Sequence, residues 1–444
     1  MGPGDRFLNS RAFFRSVAML EMKFVRANPD AVRKDLKKRG DAEKAKWFEE
    51  LLGLDAEEKK LRLEAEALRG QRNKVSMEIN RLIKDGNDAK KEKVLAAEIP
   101  EKIKAVEKRL GEVSERMKFI LMRLPNVLHE SVPVGMENEV VREHGGKRVP
   151  EAWVKSHVDY VVEKGLADLE RAAKISGARF YFLKNELVLL EQSLMRFALD
   201  TLHKKGFTLL EPPFMMKRGP YEGVTDLADF ESVMYKTEGE DLYLIATSEH
   251  PMAAMHSGDI FAEADLPIRY GGISPCFRRE AGAHGKDTKG IFRVHQFNKV
   301  EQFVYCRPED SWKTHEELLE NAEEYMRRLE IPYRVVNICT GDIGTVAAKK
   351  YDIEAWFPAQ KAYREVVSCS NCTSYQATRL NIKYKNAAGE NNYVHTLNST
   401  MVASPRMLVA IIENNQLADG SLMIPKVLRP YMDGAERIEP RRTK

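Results

Sequence analysis

Charged and aromatic residues cluster between Cys276 and Glu301, where the sequence reads CFRREAGAHGKDTKGIFRVHQFNKVE. Alternating apolar residues flank a polar loop that contains glycines, which predicts two strands joined by that loop. Side chains on one face of a strand recur every second residue, so Arg278 can share a face with Glu280, as Phe297 can with Glu301. Arginine suits a phosphate or carboxylate, a carboxylate suits an ammonium group, and an aromatic ring suits a base. The hairpin could hold a nucleotide beside an amino acid, although an exposed hairpin with charged cross-strand pairs has the same spacing.

Other polar segments lie beside predicted strands. Thr247-Ser248-Glu249 follows the apolar run 242–246 and precedes a predicted helix, so it could also be an ordinary helix N-cap. Glu365-Val366-Val367-Ser368 places a carboxylate and a hydroxyl, both hard oxygen ligands, at the end of a strand. Cys369 and Cys372 form a C-x-x-C pair, but a structural zinc site needs four ligands and the chain has no second pair. We therefore expect no zinc.

The hairpin resembles motif 2 of the class II aminoacyl-tRNA synthetases, in the form found in seryl-tRNA synthetases. FRRE, the basic loop and RVHQFNKVE carry this resemblance, and TSE at Thr247 and EVVSCSNC at Glu365 also resemble that family. A segment from Leu397 to Gln416 is similar to motif 3, and the stretch from Glu186 to Pro213 is similar to motif 1. The resemblance, to a bacterial-type motif set, covers the chain from about Met19 onward.

This resemblance implies an α+β fold: an antiparallel class II sheet flanked by helices, with an N-terminal antiparallel coiled-coil hairpin. Four regions are expected: an extension of doubtful function (1–18), a tRNA-binding arm (19–125), a connecting region (126–176) and the catalytic domain (177–444). The extension could be an organellar presequence or a mis-assigned start. Motif 1 implies a homodimer.

The implied reaction joins L-serine and ATP into seryl-adenylate, and then transfers the seryl group to the 3′ end of tRNA(Ser). Arg278 and Arg406 are the implied catalytic residues, because they would stabilise charge on the transferring phosphoryl group. The residues implied for serine binding are Thr247, Ser248, Glu249, Glu301, Asn398 and Thr400. Those implied for ATP binding are Arg278, Arg279, Glu280, Val294, Phe297, Glu365, Val366, Val367, Ser368 and Arg406. Glu365 and Ser368 would hold Mg²⁺ together with ATP.

Three departures from the family pattern concern local conformation rather than the reaction. Ser399 stands where glycine is usual, Ser404-Pro405 precedes the arginine where small residues are usual, and Thr378 replaces a common arginine.

The hairpin of motif 2 also contains the basic residues Lys286, Lys289 and Arg293. They would contact the tRNA acceptor end or pyrophosphate, or would simply be solvated.

Two heptad runs predict the coiled-coil hairpin. Positions recur with 4-3 spacing from Trp47 to Leu82 and again from Ile99 to Leu124, and a polar turn lies between the runs. Pro125 is expected to end the second helix. A purely structural or dimerising coiled coil has the same pattern, but the tip is rich in basic residues, which suit a phosphate backbone. The resemblance implies that the arm grips the long variable arm of tRNA, and the tip residues assigned to this contact are Arg69, Arg72, Lys84 and Lys90.

Composition limits the remaining possibilities. The 444 residues include 71 Lys and Arg against 67 Asp and Glu, so any nucleic-acid binding must come from local patches. Five cysteines and no long apolar run indicate a cytoplasmic protein without a membrane segment. Two alternatives stay open: a relative that loads amino acids onto a carrier protein, which would lack the arm, and an inactive RNA-binding relative, which would have lost the motif arginines or Glu301.

Overall fold

The computed structural model describes residues 22–225, 233–280 and 289–439. The predicted extension (1–18) and Lys286 lie outside the described residues. The chain divides into two compact units with the boundary between Leu124 and Pro125, and each unit is described by itself.

The N-terminal unit is helical. Its helices are α1 (Met22–Ala27), α2 (Pro29–Arg39), α3 (Ala42–Lys84) and α4 (Lys90–Leu121). Ion pairs join Glu50 to Arg116 and Glu57 to Arg109, so α3 and α4 run antiparallel. Helix α4 ends at Leu121, a few residues before the predicted Pro125, and one further turn joins the Leu124 N–H to the Ile120 carbonyl.

The shorter helices α1 and α2 change which side chains of α3 are buried. Phe48 is fully buried although it lies outside the predicted seam, while Arg72, inside the seam, is exposed. Asp55 is also buried, where Arg26 of α1 donates a 2.5 Å hydrogen bond to its carboxylate. Packing by α1 and α2 therefore widens the apolar face at the base of α3.

The second unit contains an eight-stranded sheet. Its strands are β1 (Glu139–His144), β2 (Thr208–Leu210), β3 (Ile268–Phe277), β4 (Gln296–Cys306), β5 (Tyr333–Asn337), β6 (Lys349–Phe357), β7 (Ala362–Asn371) and β8 (His395–Ala403). The spatial order is β1-β5-β6-β7-β8-β4-β3-β2, and every pair is antiparallel except β2 with β3. The predicted α+β class, with a mostly antiparallel sheet flanked by helices and an N-terminal helical unit, is confirmed.

Eight α-helices are described in this unit. They are α5 (His157–Glu163), α6 (Leu169–Ser176), α7 (Glu186–Lys204), α8 (Arg218–Val224), α9 (Glu249–Ala254), α10 (Ser311–Arg328), α11 (Tyr375–Leu380) and α12 (Ser404–Asn415). Apolar residues of α7, α10 and α12 join those of β4 to β8 in the main core. Short strands at Ile260–Ala262, Lys383–Lys385 and Asn391–Tyr393 form a small separate sheet. Within the described ranges, no helix combines the length and apolar character needed to cross a membrane.

Two neighbouring strands each contain a β-bulge. In β7, Val367 lies opposite Ile353 and Glu365 lies opposite Glu354, so Val366 is the extra residue. In β8, Thr400 lies opposite Glu301 and Val402 lies opposite Val300, so Met401 is the extra residue. Because a bulge re-aims side chains, residues on either side of it need not alternate between faces.

Candidate functional site

A cavity of about 460 Å³ opens on the sheet, a volume within the range of small-molecule sites. Strands β4, β7 and β8, the start of α9 and Arg278 just beyond β3 supply most of its polar lining. The predicted site residues that line it are Thr247, Glu249, Arg278, Phe297, Glu301, Glu365, Val366, Ser368, Asn398, Thr400 and Arg406. The structure therefore brings together residues from the segment at Thr247, from motif 2, from the segment at Glu365 and from motif 3.

The buried Glu301, the half-buried Glu249 and the buried Lys299 form one polar wall of the cavity. Lys299 lies 2.5 Å from Glu301, and the Thr400 hydroxyl donates to the same carboxylate oxygen, Oε2, over 3.2 Å. Glu249 accepts a 3.1 Å hydrogen bond from the Gln376 amide. Burial, together with the negative charge of Glu301, raises the pKa of Glu249 to about 7. Burial also raises the pKa of Glu301, against the opposing effect of Lys299. Two carboxylates whose charge is disfavoured in this way form a site for an added cation.

Arg278 enters the cavity from just beyond β3. The strand ends at Phe277, and the Arg278 N–H donates to the His295 carbonyl across the hairpin. Its guanidinium lies 5.3 Å from the centre of the Phe297 ring. An arginine fork beside a flat ring suits a phosphate attached to a base.

The predicted strand through Glu280 is wrong. Glu280 has a positive φ of 47°, so the backbone is not extended there and strand parity does not apply. The Glu280 carboxylate instead accepts a 3.0 Å hydrogen bond from Arg293. Glu280 and Val294 lie beside the main cavity, where they line a small cleft together with Arg278 and Arg406.

Arg406 is held at the start of α12. Its guanidinium donates a 2.7 Å hydrogen bond to the Glu365 carboxylate and lies 5.5 Å from the Phe292 ring. The positive charge of Arg406 and its hydrogen bond keep the pKa of Glu365 below its usual value. Pro405 occupies the first turn, where its missing N–H needs no helical partner.

Glu365 and Ser368 do not lie at a strand end, as predicted, but well within β7. Because Val366 is bulged, both residues can line the cavity although they are three positions apart. Asp352 lies opposite Ser368 on β6, and its buried Oδ1 has no hydrogen-bond partner among the described residues. Burial and the charge of Glu365 raise the pKa of Asp352 to about 7.

This set of oxygen donors fits Mg²⁺ bound with a nucleotide. Among the described residues, no group of three or more His, Cys, Asp or Glu side chains is arranged to hold a metal ion. A few oxygen donors beside a phosphate site match Mg²⁺, which is commonly held by one or two carboxylates plus substrate phosphates. Asp352, with its unpartnered Oδ1, lies behind that set, opposite Ser368 on β6.

Besides Glu280 and Val294, three further predicted residues do not line the main cavity. The buried Ser248 hydroxyl donates to the Gly272 carbonyl, and Val367 packs in the hydrophobic core. The backbone N–H of Arg279 donates a hydrogen bond to the Val233 carbonyl.

The residues predicted to contact tRNA lie in the N-terminal unit. Arg69 forms a 2.7 Å ion pair with Glu107, and Arg72, Lys84 and Lys90 are exposed.

Several cavity residues are additional to those predicted. Lys299 has the same strand parity as Phe297 and Glu301, and that parity could have identified it. His250, the residue after Glu249, also lines the cavity. The loop 343–347 and the residues Val224 and Thr225 complete the wall, but no pattern in the sequence links them to the motifs.

Comparisons with known proteins identify the family. Residues 19–128 match the Seryl-tRNA synthetase N-terminal domain, and residues 230–415 match the tRNA synthetase class II core domain (G, H, P, S and T). A serine–tRNA ligase from Methanocella arvoryzae is 57% identical over 425 residues, which is 95% of this chain and 100% of that protein.

Two solved structures are similar along nearly the whole chain. Seryl-tRNA synthetase from Pyrococcus horikoshii, solved in complex with ATP, is 51% identical with a TM-score of 0.91, over 95% of this chain and 100% of that one. The cytoplasmic serine–tRNA ligase of Naegleria fowleri, solved in complex with AMP, is 35% identical with a TM-score of 0.86, over 96% and 98%.

Proposed function

Since the chain belongs to the seryl-tRNA synthetase family, we propose that its cavity binds L-serine beside ATP, with Glu249 and Glu301 at the amino-acid end. The enzyme activates L-serine with ATP to seryl-adenylate and transfers the seryl group to the 3′ end of tRNA(Ser). The observation that carries the site assignment is the pair of carboxylates, Glu301 buried and Glu249 half-buried, that line one cavity together with Arg278.

Serine recognition follows from charge. The serine ammonium group lies between Glu249 and Glu301, where its charge offsets two carboxylates that burial has made costly. Thr400 and Glu301 receive the serine hydroxyl. Thr247 and Asn398 complete the pocket, and Arg278 receives the serine carboxylate.

ATP recognition uses the other end of the cavity. Phe297 stacks on the base, Glu280 binds its amino group, and Arg406 lies beside the base or the γ-phosphate.

In the first reaction step, a serine carboxylate oxygen attacks the α-phosphorus and the bond to the leaving pyrophosphate breaks. Arg278 stabilises the charge that develops. Bound Mg²⁺, held by Glu365 and Ser368 near Asp352, would neutralise phosphate charge. No protein side chain forms a covalent bond, so positioning and electrostatics carry the reaction.

The remaining assignments concern partners and location. We infer that the N-terminal hairpin contacts the long variable arm of tRNA(Ser), that the protein is a homodimer, and that it acts in the cytoplasm. Five buried, unpaired cysteines support a reducing compartment. The relatives named above from Methanocella and Pyrococcus are archaeal, so the bacterial type of the motif set stays a prediction.

Serine-dependent exchange between ATP and pyrophosphate tests the site assignment. Arg278→Ala is expected to reduce exchange about a hundredfold or more, because a contact to transition-state charge is lost. Arg269→Ala is the matched control, since Arg269 lies at the far end of β3 and pairs with Glu317. Normal exchange in Arg278→Ala would contradict the proposed role of Arg278.

A further inference from the structure

Lys299 is a buried cation within the amino-acid end of the cavity. Its side chain is 7% exposed and that of its partner Glu301 is 2% exposed, with 2.5 Å between Nζ and Oε2. The Thr400 hydroxyl contacts the same oxygen. Within the described part of the chain, both contacts of the Glu301 carboxylate are made through Oε2 and none through Oε1, and Glu301 lines the cavity. Both protein contacts therefore hold one carboxylate oxygen and leave the other for a ligand.

The charges around Glu301 explain why a cation is needed there. The ionisable groups around it are Lys299 on its own strand, Cys276 of β3, Arg278 just beyond β3, Glu249 and His250 of α9, and Cys369 of β7. His250 is neutral, because burial and the nearby Lys299 and Arg278 charges lower its pKa to about 3. Burial raises the thiol pKa of Cys276 and of Cys369, so neither adds charge.

Without Lys299, two close carboxylates would face a single cation, Arg278. Arg278 is already assigned to the substrate carboxylate and the phosphate. A buried carboxyl group without a counter-ion takes up a proton, because burial disfavours its charged form. A protonated Glu301 would no longer attract an ammonium group.

We propose that Lys299 is a positioning residue for serine recognition: it holds Glu301 through Oε2, so that Oε1 faces the cavity and receives the substrate. This inference rests on the proposed role of Glu301 in serine binding. It assigns to Lys299 no contact with the reacting atoms.

The test compares Lys299→Met with Lys299→Arg by ATP–pyrophosphate exchange between pH 6 and pH 9. Lys299→Met should raise the KM for serine at pH 7 by about tenfold, since a nearby opposite charge shifts a carboxyl pKa by about 1–3 units. The KM for ATP should stay unchanged. Because the carboxylate is the binding form and its pKa rises in Lys299→Met, the defect should shrink as pH rises. Lys299→Arg should restore much of the serine affinity.

Glu301→Gln and the double variant Lys299→Met/Glu301→Gln complete the test. If Lys299 acts through Glu301, the double variant should have the same KM for serine as Glu301→Gln. The double variant also removes the unpaired charge of Glu301, so it can be measured even if Lys299→Met alone folds poorly. Suppose that Glu301→Gln is impaired in serine use. The inference is then overturned if the serine KM of Lys299→Met is unchanged, or is raised equally at every pH. Unimpaired serine use by Glu301→Gln would instead overturn the proposed role of Glu301.

Discussion

At the scale of single residues, the site depends on which face of a strand each side chain occupies. Thr400 faces the cavity and contacts Glu301, whereas Ser399 is buried, does not line the cavity and lies opposite Cys369 of β7. The departure from glycine at Ser399 therefore leaves the substrate pocket unchanged in the described structure.

Thr400→Ala should weaken the use of serine by about 1–3 kcal/mol, because a buried hydrogen-bonding group is left without its partner. The preference for serine over alanine should narrow, since alanine has no hydroxyl to lose. Ser399→Ala is the control and should behave like the wild type. Exchange assays with serine and alanine measure both variants, and a narrowed preference in Ser399→Ala alone would contradict this assignment.

Motif chemistry made much of the site predictable at this scale. Arg278, Glu301 and Arg406 were identified by residue type and by resemblance. Asp352 was not, because a single aspartate on a strand carries no signal until its neighbour strand places it opposite Ser368.

At the scale of elements, hydrogen bonds between distant segments explain one departure from the family pattern. The Ser404 hydroxyl donates a 2.6 Å hydrogen bond to Glu191 of α7. Burial raises the pKa of Glu191, and the hydrogen bonds from Ser404 and Asn298 oppose that rise. Ser404 therefore connects the first turn of α12, which carries Arg406, to α7.

Heptad spacing predicted the helices α3 and α4. It could not predict which side chains are buried at the base of these helices, because α1 and α2 pack there.

The helical hairpin carries a prediction about its basic tip. Neutralising Arg69, Arg72, Lys84 and Lys90 should lower the slope of log K against log salt for tRNA binding by about one for each lost phosphate contact. Arg72 should contribute more than Arg69, which is paired with Glu107.

Filter binding of tRNA(Ser) across a salt series would measure these slopes. The matched control neutralises Arg62, Lys102, Arg109 and Arg116, which pair with glutamates. An equal change of slope in both variants would contradict a specific role for the tip.

At the scale of the whole molecule, the division into two compact units separates the assigned tasks. All the residues that line the cavity belong to the unit that begins at Pro125. The order of regions was predictable from motif order, whereas the cavity itself was not, because its wall combines segments far apart in sequence.

Replacing residues 62–110 with a short turn should leave ATP–pyrophosphate exchange intact and abolish charging of tRNA(Ser). This boundary retains Phe48 and Asp55, which are buried at the base of α3, so it preserves the packing of α1 and α2. The two assays on one purified variant give the comparison. Unchanged charging would contradict a role for the helical hairpin in tRNA recognition.

The bulges at Val366 and Met401 have a consequence for how the site is encoded. In a strand without a bulge, side chains alternate between the two faces, so every second residue belongs to one face. At Val366 and at Met401 the extra residue shifts this alternation by one position. The cavity residues Glu365 and Ser368 lie on either side of the first bulge, and Thr400 and Ala403 lie on either side of the second. Loss of a single residue there would keep the composition of the strand and most of its apolar pattern, yet it would move half of the site to the opposite face. In these two strands the length of the chain, as much as the identity of its residues, specifies the chemistry.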